Sequence, residues 1–598
     1  MFYREIRPAS RATASRRPSG IALIALLALL AVVGALFVAG LAGNLSRQNE
    51  ASQRTTDVLA QAKEALIAYA ANYPDEHPGR VFGYLPCPDR DGSTGEGTAD
   101  TTCGGTDVTV IGRLPWKTLE LPPLRDGDGE CLWYAVSGNF KNNPPTALMN
   151  WDTNGLIAVM APDGSNFAAG GSGTTAIPTR RAVAVIFAPG AILPGQDRSL
   201  AATNPPTTCS GNYNAANYLD TDTASAINNA TASSSTTNAQ SRFIAAFNSN
   251  RTTPAANTFN DRLVSLTPAE IFNRAQQRSD YQPYLTDSST GMLRAAADCI
   301  VQYGKNNLAG ILDKRLPWAA PLTNSNYGLA NSYNDGAGQY SGRLPYIVDA
   351  SAAILTGTNN LPVLLNGNVL LSNTICPGWS TTTAEFWNNW KDHVFYAVAK
   401  AFAPNNLVAA SLPTPCAVDE CITVDSATDV AAVLIFAGQK VAGQSRNNDA
   451  NPAYTSSEKS SVTNYLENVN ATSIQQNSPT MLSPRVFTKA PAGGEDTVMC
   501  IRSNAVTGLY VDPTCAATSV CSVDANPPSG LAGYRSGNVN NCNAGSNKVL
   551  PACQALSDRI NSNNCSCKKG AQDFISKKCL GGFSEQKCLD AYTSLAAC

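Results

Sequence analysis

The sequence predicts an α+β chain: a long N-terminal transmembrane helix, two tandem modules with antiparallel sheets, and a disulfide-rich, mainly helical C-terminal module. Three observations predict this order. Ile21 to Ala42 is an unbroken apolar run that passes without a proline into an amphipathic stretch ending near Asn72. A series of six short motifs occurs twice in the same order. Residues 500–598 hold ten of the 18 cysteines.

The first part follows from length and charge. A bilayer core needs about 20 apolar residues, whereas the apolar region of a cleaved signal peptide is about 7–15. Ile21–Ala42 supplies 22 without a charge. An anchor is therefore expected, the competing reading being a signal peptide that leaves near Gly40–Ala42. Arg4, Arg7, Arg11, Arg16 and Arg17 stand against only Glu5, so the positive-inside bias makes residues 1–20 a cytoplasmic leader and sends the rest across. Leu59, Ala62, Leu66 and Tyr69 then recur at helical spacing, and Tyr73-Pro74 should end the helix. Residues 21–72 read as one helix about 75–80 Å long.

The repeat defines the second and third parts. Glu64–Asn72 is echoed by Asp298–Asn306, Leu85-Pro86 by Leu316-Pro317, and Gly112-Arg113-Leu114-Pro115 by Gly342-Arg343-Leu344-Pro345. Glu130–Val136 matches Asp392–Val398, Val183–Ala188 matches Ala432–Ala437 with Gly195-Gln196 against Gly443-Gln444, and Asn217–Asp220 matches Asn464–Glu467. Self-similarity of this kind marks duplicated units. The boundaries read 73–287 for the first module, 288–499 for the second and 500–598 for the Cys-rich one. In the second module a short soluble helix near Gly291–Lys305 stands where the first has its anchor. The Tyr-Ala-Val and Ile-Phe-Ala segments are apolar enough to be central strands. Cysteines number four, four and ten by module, each even, as self-contained pairing requires; Cys87–Cys103 and Cys416–Cys421 are the nearest loop closures.

Composition limits the chemistry. Only 15% of residues are charged and the net charge is −2, so no basic surface is available for nucleic acid. Eighteen cysteines with two histidines point to disulfides made in an oxidising compartment rather than to zinc. There is no Gly-x-Ser-x-Gly elbow, His-Glu-x-x-His pair or phosphate-binding loop, and no enzyme is predicted; an anchored hydrolase built from scattered carboxylates is the residual alternative. His77 and His393 read as surface or structural residues. Asp89 and Asp91 begin like a calcium loop but lack the glutamate at position twelve, where Asp100 stands, and Asp126 and Asp128 cluster oxygens in a second turn. Asp-Gly turns form without metal, so calcium is a weak candidate cofactor at these four residues.

Arg16-Arg17-Pro18-Ser19-Gly20 before Ile21-Ala22-Leu23-Ile24 resembles the processing site of type IV prepilins and type II secretion pseudopilins. The resemblance implies cleavage by a prepilin peptidase between Gly20 and Ile21. The family usually carries Glu at the fifth position after the glycine, where it pairs with a neighbour's N-terminal amine. Here that position is Ala25, which implies an end position in a filament rather than a repeating one. The run from Leu85-Pro86 through Gly112 to Tyr134 also resembles the entry into a pseudopilin sheet. The two modules are accordingly expected to be pilin-like, and the chain a large minor pilin or pseudopilin, at the tip of a type IV pilus or type II secretion filament, with other pilin subunits and the bacterial inner membrane as partners. The alternative is an adhesin that binds a surface ligand through its Cys-rich module.

Overall fold

The structure, a computed structural model, describes residues 19–516 apart from 107, 146–147, 162–180, 223–224, 232–240, 246–258, 307–314, 325, 352–368, 405–419, 447–456, 476–484, 490, 492 and 505–507; side chains are described from Arg47 onward. Residues 517–598, and with them the expected helical Cys-rich module, lie outside the described residues, as does Cys416. The described part is α+β.

Helix α1 (Ser19–Glu76) opens the chain. Where its side chains are described it is an amphipathic helix. Thr55, Leu59, Ala62, Leu66, Ala70 and Tyr73 are buried at spacings of three and four, while Arg47, Glu50, Arg54, Asp57 and Glu64 face outward. Among the described residues, no helix is long and apolar enough to cross a membrane. This overturns the expected transmembrane helix and, with it, the single-pass inner-membrane location with a cytoplasmic N-terminus. The helix also outlasts the sequence reading at its other end. Pro74 removes one N–H, which would leave the Ala70 carbonyl open, but Gly83 donates to that carbonyl at 3.0 Å and the helix runs one further turn.

Strands β1 (Val110–Arg113), β2 (Trp133–Val136), β4 (Ala184–Ala188) and β8 (Arg262–Leu266) form an antiparallel sheet in the order β1-β2-β4-β8. Beside it β3 (Ile157–Met160) pairs in parallel with β7 (Ser241–Ile244), and β5 (Thr221–Asp222) pairs with β6 (Ile227–Asn228). Three helices follow: α2 (Pro268–Gln276), α3 (Tyr281–Thr286) and α4 (Met292–Asn306). The second sheet then repeats the first. Its unit runs in the order β9 (Ser341–Arg343), α5 (Thr381–Trp390), β10 (Val394–Val398), β11 (Ile422–Val424), β12 (Ala427–Phe436), α6 (Asn468–Gln475), β13 (Val486–Phe487), β14 (Thr497–Asn504) and β15 (Gly508–Asp512), the strands forming the sheet. Here β9-β10-β12-β14 runs in the same antiparallel order, and β11 pairs in parallel with β13 as β3 does with β7.

The registers coincide as well. Gly112 faces Tyr134 and Gly342 faces Tyr396; Tyr134 in turn faces Ile186, and Tyr396 faces Leu434. Each tyrosine hydroxyl donates to a proline carbonyl, Pro86 in the first unit and Pro317 in the second. The register thus equates Ala184–Ala188 with Ala432–Phe436. Matching the Ile-Phe-Ala letters in sequence slips this strand by one residue, a slip that exchanges its faces. The structural match continues into the next loop, where Gly190 corresponds to Gly438 and Gln196 to Gln444.

The Gly-Arg-Leu-Pro motif has a steric cause. Arg113 exchanges both backbone hydrogen bonds with Asp89, and Arg343 does so with Ala320. The crossing segment lies so close that a Cβ on Gly342 would sit 2.0 Å from the Ala320 carbonyl oxygen, and one on Gly112 would sit 2.7 Å from that of Asp89. Gly342→Ala should cost about 1–3 kcal/mol, the range for forced overpacking, and Gly112→Ala less; urea unfolding of the two variants would show the order.

The second sheet extends past residue 499. Strand β14 lies between β12 and β15, and Cys500 on β14 is bonded to Cys515, three residues past the end of β15, so the two residues join the second unit rather than the tail. Cys87–Cys103, Cys131–Cys209 and Cys299–Cys376 are the other described disulfides, and Cys421 is also disulfide-bonded. Such bonds fit an oxidising compartment. One hydrophobic core joins the two units, reaching from Leu59 on α1 to Cys515.

Candidate functional site

Each unit carries the same polar cassette behind its sheet. Arg198 donates to the Asn217 and Gly190 carbonyls and to Gln196 Oε1; Arg446 does so to Asn464, Gly438 and Gln444. Gln196 reaches the Asp220 carboxylate at 2.9 Å, and Gln444 reaches Glu467 at 3.0 Å. The second carboxyl of each pair, Asp261 or Asp496, accepts from the backbone N–H of the first and from an asparagine, Asn229 or Asn470.

Burial favours the protonated form of the second carboxyl in each pair. Burial, then the neighbouring Asp220, pushes Asp261 well above the carboxylate range; burial, then Glu467, pushes Asp496 up to about 8. A raised folded-state value means the native chain holds a proton that the unfolded chain releases near pH 4. The contribution of Asp496 is therefore fully present below about pH 4 and is lost as pH rises to about 8. Asp496→Asn mimics the protonated form, and its unfolding free energy should vary less than the parent's between those limits in parallel urea titrations.

Beyond the exchange of Asp220 for Glu467 inside the cassette, the units differ at the junction between them. In the first unit Cys131, heading β2, is bonded to Cys209. In the second the matching position is His393, heading β10, with its side chain fully buried. Its Nε2 lies 2.8 Å from Asp152 Oδ2 of the first unit and its Nδ1 2.9 Å from Asp392 Oδ1. Lys459 Nζ donates to Asp392 Oδ2 at 2.5 Å, and Arg446 lies 3.7 Å from Asp152. Burial alone would raise the Asp392 carboxyl, but Lys459 and His393 hold it well below the usual range. Adjacent Lys391, buried with less compensation, is pushed down to about 7.

Local structure positions these groups. Ser380 caps α5 by accepting from the Thr383 N–H, and the last turn of α5 delivers Asn389 and Trp390. Asn389 accepts from the Met149 N–H at 2.6 Å, and its carbonyl accepts from Asn150. Trp151 packs edge-on to Trp390 with centroids 4.3 Å apart. Next to this contact is a cavity of about 150 Å³ lined by Trp151, Asp152, Asn154, Pro268, Phe272 and Gln276, with Asn273, Gln439 and Lys440 exposed at its rim. Asn154 Nδ2 and Trp151 Nε1 are buried without a hydrogen-bond partner.

The residues singled out in sequence are placed elsewhere. Asp89 accepts from Gly92 and Gly97 N–H groups and is pushed up to about 6 by burial; Asp91 accepts from Ser93. Asp126 accepts from the Asp128, Glu130 and Gly190 N–H groups. Their oxygens close turns, and among the described residues no group of three or more His, Cys, Asp or Glu is placed to hold a metal. His77 stacks on Tyr73 and caps the end of α1. Gly20, Ile21 and Ala25 lie on the α1 backbone, before its side chains are described. The junction itself has no periodicity that sequence reasoning detects; its one signal is the exchange of half a cystine for histidine between the repeats. Both His393 nitrogens are taken by carboxylates, one from each unit, so the arrangement ties the two units together. Compared with protein-family models, curated proteins and solved structures, the chain matches none.

Proposed function

We propose that the chain is a structural and interaction subunit of an extracytoplasmic filament, a large minor pilin-like or pseudopilin-like protein placed at an end of the assembly. The observation that carries this reading is the inequality of the two units' helices. Helix α4 spans 15 residues and serves its own sheet, while α1 spans 58 and its described hydrogen bonds to the body begin at Ser52, which accepts from Arg262, and Thr55, which accepts from the Gly127 N–H. A helix that long has about 48 Å of backbone ahead of Ala51 at about 1.5 Å per residue. One body thus has a helix to offer neighbouring subunits and the other has none. Ala25, in place of the family's glutamate, favours an end position, and the bulk of two joined units fits at an end without repeating along a shaft.

The N-terminal mass of the mature protein tests the reading. A start at Ile21 supports it, and an intact Met1 overturns it. Deleting residues 517–598, beyond the last described strand, separates assembly from attachment: filaments lost means the tail assembles, whereas attachment alone lost means it binds.

A further inference from the structure

We propose that Lys459 and Asp392 condense into an intramolecular amide, a covalent brace in the second unit at the place where the first unit has a cystine. The sister unit marks the place. With Tyr134 matched to Tyr396, Cys131 falls opposite His393 and Glu130 opposite Asp392. In the first unit Cys131, heading β2, is bonded to Cys209, which shortly precedes Asn217 of the shared Asn-Tyr-Leu motif. In the second unit Asp392, just ahead of β10, meets Lys459, which shortly precedes the matching Asn464. The two contacts span 78 and 67 residues and join corresponding segments of the two units. One is a covalent bond, and the other is a salt bridge between groups that can become one.

The pair is an acid and an amine closed off from water. Lys459 Nζ lies 2.5 Å from Asp392 Oδ2, and the two side chains are only 2% and 0% exposed. His393 Nδ1, 2.9 Å from Oδ1, holds the carboxyl from its other side, and Arg343 fixes the Lys459 backbone by donating to its carbonyl at 2.7 Å. Groups held in this way react with no translational freedom left to lose. A proton passes from Nζ to Oδ2, giving a neutral amine and a neutral acid. Nζ then attacks Cγ, and His393 Nδ1 donates to the charge that gathers on Oδ1. The Cγ–Oδ2 bond breaks as Oδ2 takes a second proton from Nζ and leaves as water, so the step needs no oxidant and no co-reactant. Burial favours the product, because two buried charges are costly to desolvate and the amide that replaces them has none.

Mass spectrometry of the full-length mature chain, reduced and denatured, tests this. The chain should be lighter than its reduced sequence by one water, and a tryptic digest should contain a branched peptide that joins the segments around Asp392 and Lys459. Lys459→Arg, which keeps the charge and lacks the primary amine, should restore the full mass. Asp392→Asn should give the same branched peptide by losing ammonia in place of water. Separate, unbranched Asp392 and Lys459 peptides from the parent overturn the proposal, whether or not any variant folds. So does a Lys459→Arg chain that is still one water short, since the loss then comes from ring closure at an Asp-Gly turn such as Asp91-Gly92. The readout is a covalent bond within one chain, so it is independent of whether that chain enters a filament.

Discussion

His393→Ala should destabilise the chain by about 3–5 kcal/mol, the cost of breaking a buried charge network by removing one member. The imidazole lies between Asp152 of the first unit and Asp392 of the second. Its loss leaves Asp392 with Lys459 alone and leaves Asp152 facing Arg446 at 3.7 Å. Both carboxylates stay buried, so water does not repay them. The ring also packs against Trp390, Phe436 and Tyr465, and alanine forfeits those contacts too. Guanidinium unfolding of parent and variant measures the loss. Asp152→Asn gives the second arm of a double-mutant cycle, and a coupling below about 0.5 kcal/mol between the two sites would sink the claim that they act as one unit.

The matching change in the first unit, Cys131→Ala with Cys209→Ala, should cost about 4.5 kcal/mol. The bond closes a loop of 78 residues, and the chain-entropy relation gives that figure at 25 °C. Cys87–Cys103 closes only 16 residues and should be worth about 3 kcal/mol by the same relation. Chemical denaturation of the two double variants, with the other bridges intact, checks the order; equal losses would place the stabilisation in native-state packing instead of loop closure.

How much of this was legible in the sequence depends on distance along the chain. The strands at 133–136 and 394–398 were legible because apolar, aromatic and β-branched residues cluster there, and Leu59, Ala62 and Leu66 were legible because a helix repeats its buried face every three to four residues. Cys87–Cys103 was legible as a short loop closure. The strand at 184–188 was found but set one residue out of step, because identity of letters was matched where cross-strand register decides. The junction was not legible: Asp152 and His393 are 241 residues apart, and a contact at that range leaves no period in either neighbourhood. His393, which reads as a surface or structural residue, is a buried structural one at the head of its strand; what the sequence hides is its partner Asp152, and the half-cystine opposite it in the sister repeat is the one clue. The transmembrane reading rested on apolar length and the basic charge ahead of it, and it is overturned because no helix among the described residues is long and apolar enough to cross a membrane.

The pairing of Asp152 with His393 and Arg446 bears on the autonomy of the second unit. That unit owns a complete sheet, its own helix and its own disulfides, which by ordinary criteria makes it a separable domain. Yet the carboxylate that faces His393 Nε2 is supplied by the other copy. Excised from residue 288 onward, it would expose the Trp390 face and lose the counter-charge at the same point. The chain holds two similar bodies, and where one has a half-cystine the other has a histidine whose counter-group belongs to its sister.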